Sequence, residues 1–315
     1  VVKEKMINII MNDNSGSYKS LKYLYEKDLK YKFHYFPNNN DKFKKHKNYI
    51  DDPDKPLFYY RYYALNKLLE NNELKDNEYY IIVDADDTFR IYENTENLTD
   101  LIYITQKLVV DDPFRIPKII TIKNEISAIE VFTKGYWLNR LIYSGKFLKK
   151  SIPQIRKLNV SMLEDVFLTY ELLKVYKDLR KIKIKPINAK YSYLFSTSQM
   201  TSSNSGKFED LINKFESDVQ NIRLFKSLVE SDNRKDLSGK TLIEYCGFAY
   251  KCLGRTLIKN IFTKYAHRLP RDKKIREIYK ITETFSKRLN NTPEDYYKYV
   301  ITIRGIYETN TDSST

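Results

Sequence analysis

The chain is expected to be an α/β protein with a helical tail, and three observations lead there. Short apolar runs of strand length alternate with helically spaced segments over the first two thirds. One of these runs, "YYIIVDADDTF" (79–89), ends in closely spaced acids, and from Lys207 onward helical spacing continues with no competing strand pattern. With 315 residues, 42% of them hydrophobic and 14% aromatic, the chain can bury one substantial core and a second small domain. The change of character falls at "STSQMTSSNSG" (196–206), so domains of 1–205 and 206–315 are predicted.

The elements follow in order. "MINIIMN" (6–12) is a short apolar run, "SYKSLKYLYEK" (17–27) spaces Leu21, Leu24 and Tyr25 as a helix does, and "YKFHYF" (31–36) alternates as a strand. Residues 38–55 hold few apolar side chains and end in "DDPDKP", a loop of a length that is more often functional than idle in a compact domain. A helix is predicted over 57–71, a strand over 79–84, a helix over 98–109, and strands over 117–122 and 126–132. Beyond Lys207 the helical pattern is interrupted only at "SDNRKDLSG" and "HRLPRD".

Composition narrows the classes. No stretch approaches the roughly 18 apolar residues that a bilayer span needs, and no signal-like segment opens the chain, which therefore reads as soluble. Residue 1 is Val, as expected of a processed or excised piece of a longer chain. Cys246 and Cys252 stand six residues apart in a helical pattern, on different faces, and read as reduced core thiols. The net charge of +14 is concentrated: residues 251–280 carry ten basic side chains against Asp272 and Glu277. Lys251, Arg255 and Lys259 recur at every fourth position beside Leu253, Leu257, Ile258, Ile261 and Phe262, which gives a helix with a basic stripe beside an apolar one. Such a helix suits an anionic membrane surface or an anionic glycan polymer, or is simply a solvated face; no nucleic-acid-binding motif accompanies the charge, and none is expected as a partner.

Asp84, Asp86 and Asp87 follow a strand-forming run, at the strand end where open α/β sheets bind ligands. Unpaired carboxylates so close together repel and take up protons, whereas a divalent metal with a phosphate ligand makes the cluster favourable. "DADDT" (84–88) fits two patterns: the Asp-x-Asp-x-Thr of haloacid-dehalogenase-like phosphohydrolases, and the Asp-x-Asp of nucleotide-sugar-dependent glycosyltransferases. A second constellation lies in "SMLEDVFLTYELLKVY" (161–176), where Glu164 and Asp165 begin an amphipathic helix with Val166, Leu168, Leu172 and Val175 inward. Acids in a first helical turn are also what the helix dipole prefers.

With "NRLIYSGKFLKKSI" (139–152) upstream of that helix and "INAKYSYLFSTSQMTSS" (187–203) downstream, the chain resembles the family 2 glycosyltransferases of the GT-A (Rossmann-like, nucleotide-binding) fold. Their acidic strand end, KL-x-K-x-x-x-L type element, ED helix, Tyr-rich strand and Ser/Thr turn occur here in that order over residues 79–203. Further back, "IIMNDNSGSYKSLKYL" (9–24) is similar to the family's second strand and acidic loop, keeping Asp13 but with Asn12 where an Asp is usual. "FYYRYYALN" (58–66) is similar to its A-R-N-x-G element, keeping Arg61 alone. On this alignment the family's first strand is missing before Val1; an alternative makes 7–11 that strand. Leu194 stands where many relatives carry Arg.

The resemblance implies a metal-dependent, inverting hexosyl- or N-acetylhexosaminyl-transferase. It would move a sugar from a nucleotide-diphospho-sugar, foremost a UDP-sugar, to a hydroxyl of a surface glycan, teichoic-type polymer, lipid-linked sugar or glycoprotein. Mn²⁺ or Mg²⁺ would be held by Asp86 and Asp84, the donor by Asp13, Arg61, Asp84, Tyr193 and Thr201, and Asp165 would be the base, with Glu164 the alternate. The enzyme would be cytoplasmic, held peripherally at the inner face of the cell membrane. Two other readings stay open: the phosphohydrolase, and a non-catalytic relative that binds a glycan or a partner.

Overall fold

Strand β1 (Ile7–Asp13) is flanked on both edges by parallel neighbours, β2 (Tyr31–Pro37) and β3 (Tyr79–Asp84). The computed structural model describes residues 4–13, 28, 30–38, 44–50, 55–85, 87–111, 118–134, 140–160, 164–194, 208–237, 270–287 and 293–308. The chain divides into two compact units, Val1–Ser196 and Thr197–Thr315. The first is α/β with a mixed sheet of order β2-β1-β3-β8-β5-β9-β4. Its other strands are β4 (Thr88–Ile91), β5 (Ile102–Asp111), β6 (Lys118–Thr121), β7 (Ile126–Ser127), β8 (Leu141–Ser144) and β9 (Lys183–Leu194). β6 pairs with β5 and β7 with β9.

The order places a topological switch beside β1. From β1 the chain moves to β2 on one side, then returns through helix α1 (Leu57–Glu70) to β3 on the other. Ligand crevices of open α/β sheets form at such points, outside the carboxyl ends of the strands. In register, Asn12 lies opposite Asp84 and Asp13 opposite Pro37, so both acidic segments arrive at this edge. Tyr79–Val83 is buried throughout, because β3 is an interior strand paired with β1 and β8, and an interior strand shows no polar alternation. Odd-numbered residues of β1 and β3 (Ile7, Ile9, Met11, Tyr79, Ile81, Val83) share one core with Phe89, Ile187 and Tyr191.

Helix α1 begins after Pro56 and buries Phe58, Arg61, Ala64, Leu65 and Leu68, a stripe at three- and four-residue spacing. It closes at Asn72, whose φ of 54° is the left-handed conformation that asparagine tolerates at a helix C-terminus. Helix α2 (Glu130–Thr133) is a single turn, and α3 (Gly145–Ser151) is capped by Ser144, whose hydroxyl accepts from the Phe147 N–H at 3.2 Å. Gly145 is required there: a Cβ would stand 2.1 Å from the Lys75 carbonyl oxygen. Helix α4 (Glu164–Leu173) is buried from Val166 to Leu173 and packs against α1 and α3.

Two predictions are corrected. Residues 98–109 do not form a helix: apart from the 3₁₀ turn Thr95–Asn97 before them, this segment leads into β5. Ile102, Tyr103, Ile104 and Thr105 are all buried, and β5 pairs with both β8 and β9; a strand covered on both faces imitates the continuous apolar run of a buried helix. The strand over 126–132 reduces to Ile126–Ser127 before α2, whose Glu130 carboxylate accepts from the Ser127 N–H at 2.8 Å. The helix over 17–27 and both cysteines lie outside the described residues. In the second unit, the described helices are α5 (Phe208–Ser231), α6 (Lys273–Lys287) and α7 (Pro293–Glu308). Buried Phe215, Phe285 and Tyr299 bring them together, with Phe285 stacked on Tyr299 at 4.4 Å. No helix among the described residues is long and apolar enough to cross a membrane.

Candidate functional site

Three segments far apart in sequence meet through one guanidinium. Arg61 sits on the buried stripe of α1, and its Nη2 donates to Asp84 Oδ1 at 2.8 Å and to Glu164 Oε1 at 3.0 Å. The first acid ends β3 and the second opens α4. The geometry follows from the packing, since α1 lies against both β1 and α4. Asn12, on the helix-facing side of β1, donates through Nδ2 to the Tyr60 carbonyl at 3.2 Å, which fixes α1 over the end of the strand. Phe58 N–H, an orphan donor of the first helical turn, is satisfied by the Val160 carbonyl just ahead of α4.

The electrostatics are uneven. Burial alone would lower the pKa of Arg61, but the Asp84 and Glu164 carboxylates outweigh it and the guanidinium is held above its ordinary value. Glu164 is raised, first by burial and in spite of Arg61, with Asp84 adding to the rise. Asp165 is pushed up to about 7, by burial and then by the neighbouring Glu164 carboxylate; Arg61 opposes this. Its Oδ1 accepts from the Val166 N–H at 2.9 Å, which orients the side chain at the head of the helix. Asp84 and Glu164 thus share the Arg61 guanidinium, and Asp165 lies within its field beside them.

The acids after β3 have different fates. Asp87 N–H donates to the Asp84 carbonyl at 3.0 Å, closing a tight turn, and the Asp87 side chain is fully buried. There its Oδ2 accepts from the Tyr191 hydroxyl at 2.6 Å, and burial together with Asp87 and Asp84 holds that phenol well above its ordinary pKa. β4 pairs with β9 with Phe89 opposite Tyr191, so the strand pairing delivers the hydroxyl beneath the turn. Asp84 stays at the mouth with a third of its side-chain surface exposed.

Of the residues predicted from sequence, Arg61, Asp84 and Glu164 are in direct contact, and Asp165 adjoins them. Tyr193 lies two positions beyond Tyr191, hence on the same side of β9, partly buried against the core that Ala85 also joins. Asp13 closes β1 at the crevice edge. Asp86, Thr201, Lys251, Arg255 and Lys259 lie outside the described residues. Sequence reasoning grouped Asp87 with the acids that a metal would favour at the strand end and gave Tyr191 no role; Asp87 is instead buried on the Tyr191 hydroxyl, for which the only signal was the tyrosine two residues ahead of Tyr193.

For a divalent cation Asp84 is a suitable donor by its chemistry, a carboxylate a third exposed at a strand end. Among the described residues no group of three or more acids, histidines or cysteines is gathered for a metal, so a site here would need Asp86 beside Asp84. In comparisons with known proteins, no family model and no curated sequence matches the chain.

Proposed function

We propose that the protein is a GT-A-type glycosyltransferase that moves a sugar from a nucleotide-diphospho-sugar, foremost a UDP-sugar, to a hydroxyl acceptor with inversion. The observation that carries this reading is the meeting of Asp84 with Glu164 on Arg61. Two motifs eighty residues apart, each ambiguous alone, converge at the switch-point crevice in the order and spacing that the resemblance requires. A phosphohydrolase built on Asp84 would also call for a late acidic pair, but not for the Tyr-rich strand β9 or for the Ser/Thr-rich sequence that follows it.

The roles follow from the environments. Asp165 is the base: its pKa of about 7 lets it be deprotonated near neutral pH and still take a proton from an acceptor hydroxyl, whereas Glu164 is held by Arg61. Asp84 and Asp86 would hold Mn²⁺ or Mg²⁺, which supplies neutralising charge for the leaving diphosphate. Asp13 and Tyr193 border the crevice as donor contacts. In the second unit, the stripe of Lys251, Arg255 and Lys259 would hold the enzyme against an anionic glycan or the inner face of the membrane.

Purified protein incubated with UDP-, GDP- and CDP-sugars and Mn²⁺ or Mg²⁺ tests the reading directly. Slow release of the nucleotide, lost in Asp86→Ala and in excess chelator, is expected. Turnover of p-nitrophenyl phosphate instead would favour the phosphohydrolase, and neither activity would favour a glycan- or partner-binding protein. Charge reversal at Lys251, Arg255 and Lys259 should weaken a salt-sensitive association with anionic liposomes while leaving bare donor hydrolysis unchanged.

A further inference from the structure

Asn8 and His34 are buried side by side at the end of the sheet opposite the crevice, where β1 and β3 begin. In the pairing of β1 with β2, His34 stands opposite Ile10, one diagonal step from Asn8 on the same face. Buried polar side chains are paired, and here the pairing fixes where the hydrogens are. Asn8 Nδ2 is set between two acceptors, Glu78 Oε2 at 2.9 Å and the Tyr79 carbonyl at 3.2 Å. The amide cannot be turned over without facing oxygen to oxygen, so Oδ1 is the atom that meets His34 Nε2 at 2.8 Å. An amide oxygen only accepts; Nε2 therefore carries a hydrogen. The other ring nitrogen, Nδ1, faces Glu73 Oε2 at 3.4 Å. In a neutral ring this contact sets a lone pair against a carboxylate oxygen with no hydrogen between them. In a charged ring it becomes a charge-assisted hydrogen bond.

We propose that His34 and Glu73 form a proton-operated latch at the C-terminal end of α1, open at neutral pH and closed when one proton from solvent is bound at Nδ1. The latch uses no residue of the crevice and stands whether or not the protein transfers sugars. Glu73 lies in the turn by which the chain leaves α1. Its N–H donates to the Leu68 carbonyl at 2.9 Å, and its own carbonyl accepts from the Tyr80 hydroxyl at 2.9 Å. That hydroxyl in turn accepts from the Lys75 N–H at 2.8 Å, so the backbone of the turn is held to β3 in either state. The Glu73 side chain, 28% exposed, is the part left to adjust, and its open side gives the proton a route from water. Closing shortens one contact by roughly 0.5 Å and joins β2 directly to the turn. The surroundings set neutral pH on the open side. Burial lowers the His34 pKa to about 4, Lys32 and Lys47 press the same way, and Glu73 opposes them. Lys32 also reaches Glu73 Oε2 at 3.9 Å, while Glu78 and Tyr80 are the titratable groups on the Asn8 side.

Nuclear magnetic resonance of the whole chain, labelled with ¹⁵N-histidine, reads both the tautomer and the titration of this ring, which its through-space contacts with the Asn8 amide identify. At neutral pH the ring is expected to be neutral with its hydrogen on Nε2, and acid should add the second hydrogen at Nδ1 with a midpoint near 4 while the chain is folded. Glu73→Gln removes the charge that receives this proton and offers an amide N–H to the bare Nδ1, so the proton affinity of the ring should fall about tenfold or more. Below the wild-type midpoint, the Glu73 and Lys75 amide hydrogens should exchange about threefold or more slowly in wild type than in Glu73→Gln at the same pH. Melting gives an independent sign. A folded ring that binds its proton more weakly than the ordinary value of about 6.5 stabilises the protein above that pH, and the contribution is lost as pH falls towards about 4. Wild type should therefore lose melting temperature over that interval relative to His34→Gln, which keeps a donor towards Asn8 and does not titrate. A ring that is doubly protonated or hydrogen-bearing at Nδ1 at neutral pH would overturn the latch, as would one that stays neutral until the chain unfolds. Equal midpoints in wild type and Glu73→Gln would remove Glu73 as the partner, and a melting difference from His34→Gln that is constant with pH would show that the ring takes no part in acid sensitivity.

Discussion

Glu164 and Glu171 lie on the same helix, two turns apart, and their surroundings differ in kind. Glu171 is fully buried and surrounded by donors: the Arg156 N–H at 2.7 Å, Arg156 Nε at 2.9 Å, and the ammonium of Lys174, which lies three residues along the chain. Two cations serve one acid. At the head of the helix one cation, Arg61, bridges two acids, Glu164 and Asp84, with Asp165 buried beside them. A buried acid with enough counter-charge is a tie between segments, here between α4 and the turn that follows α3. Burial instead raises the pKa values of Glu164 and Asp165, the kind of perturbation that singles out the head of α4 as the candidate site.

Substitution at the two ends should therefore have opposite signatures, and the largest is kinetic. Asp165→Asn keeps shape and hydrogen bonding but cannot take a proton, so sugar transfer should fall by about two to four orders of magnitude while donor binding changes by only a few-fold. If Glu164→Gln shows that loss and Asp165→Asn is near normal, the base is Glu164. Glu171→Ala should do the reverse. It leaves Arg156 and Lys174 without their shared partner and should cost about 3 kcal/mol of stability, the low end of the range for a broken buried pair because Arg156 keeps a third of its surface in water. Chemical denaturation measures this directly, and a loss under 1 kcal/mol would erase the contrast between the two acids.

The next effect in size is a dependence on pH. Asp165, raised to about 7, binds its proton more tightly folded than unfolded, so its contribution to stability is complete below the unfolded carboxylate range, near pH 4, and is lost as pH climbs through about 7. Glu164, raised as well, acts in the same direction, and Arg61 and Asp84 are the charged groups that face both from α1 and β3. Wild type should therefore lose melting temperature from pH 5 to pH 8 relative to Asp165→Asn, with water access at the mouth reducing the difference. Transfer by wild type should rise over the same interval as the base deprotonates. A melting difference that does not change with pH would show that Asp165 is solvated like an ordinary surface acid.

Much of this was legible in the sequence, and for identifiable reasons. β1, β2, β3 and α1 follow from apolar runs and from the buried stripe of α1, and Glu164 opens its helix where acids in a first turn were expected. β5 was misread because pairing on both edges and burial on both faces leave no alternation to see. The convergence of Arg61, Asp84 and Glu164 could be expected only through the family resemblance, since spacing along the chain says nothing of which strand end a helix will face. The commitment of Arg61 to two acids was hidden for the same reason. For Glu171 the sequence shows only Lys174 three residues on, because its other partner, Arg156, lies in an irregular segment.

The smallest expected effect concerns Tyr191, which belongs to neither end of α4 but shapes the mouth from below. Its hydroxyl donates to the carboxylate of buried Asp87, the residue whose N–H closes the turn after Asp84. Tyr191→Phe keeps the ring in the core with Phe89 and Val83 and removes only the donor, so the cost should be about 1–3 kcal/mol, that of a lost hydrogen bond to a buried group. The consequence for function is separable from the cost to stability. If the turn is what presents Asp84 to the crevice, Tyr191→Phe should weaken Mn²⁺ binding several-fold at a temperature where the protein is fully folded, whereas Glu171→Ala, of similar or larger cost, should leave Mn²⁺ binding unchanged. Equal Mn²⁺ affinity in the two variants would mean that Arg61 alone fixes Asp84 and that the hydrogen bond under the turn serves only to neutralise a buried acid.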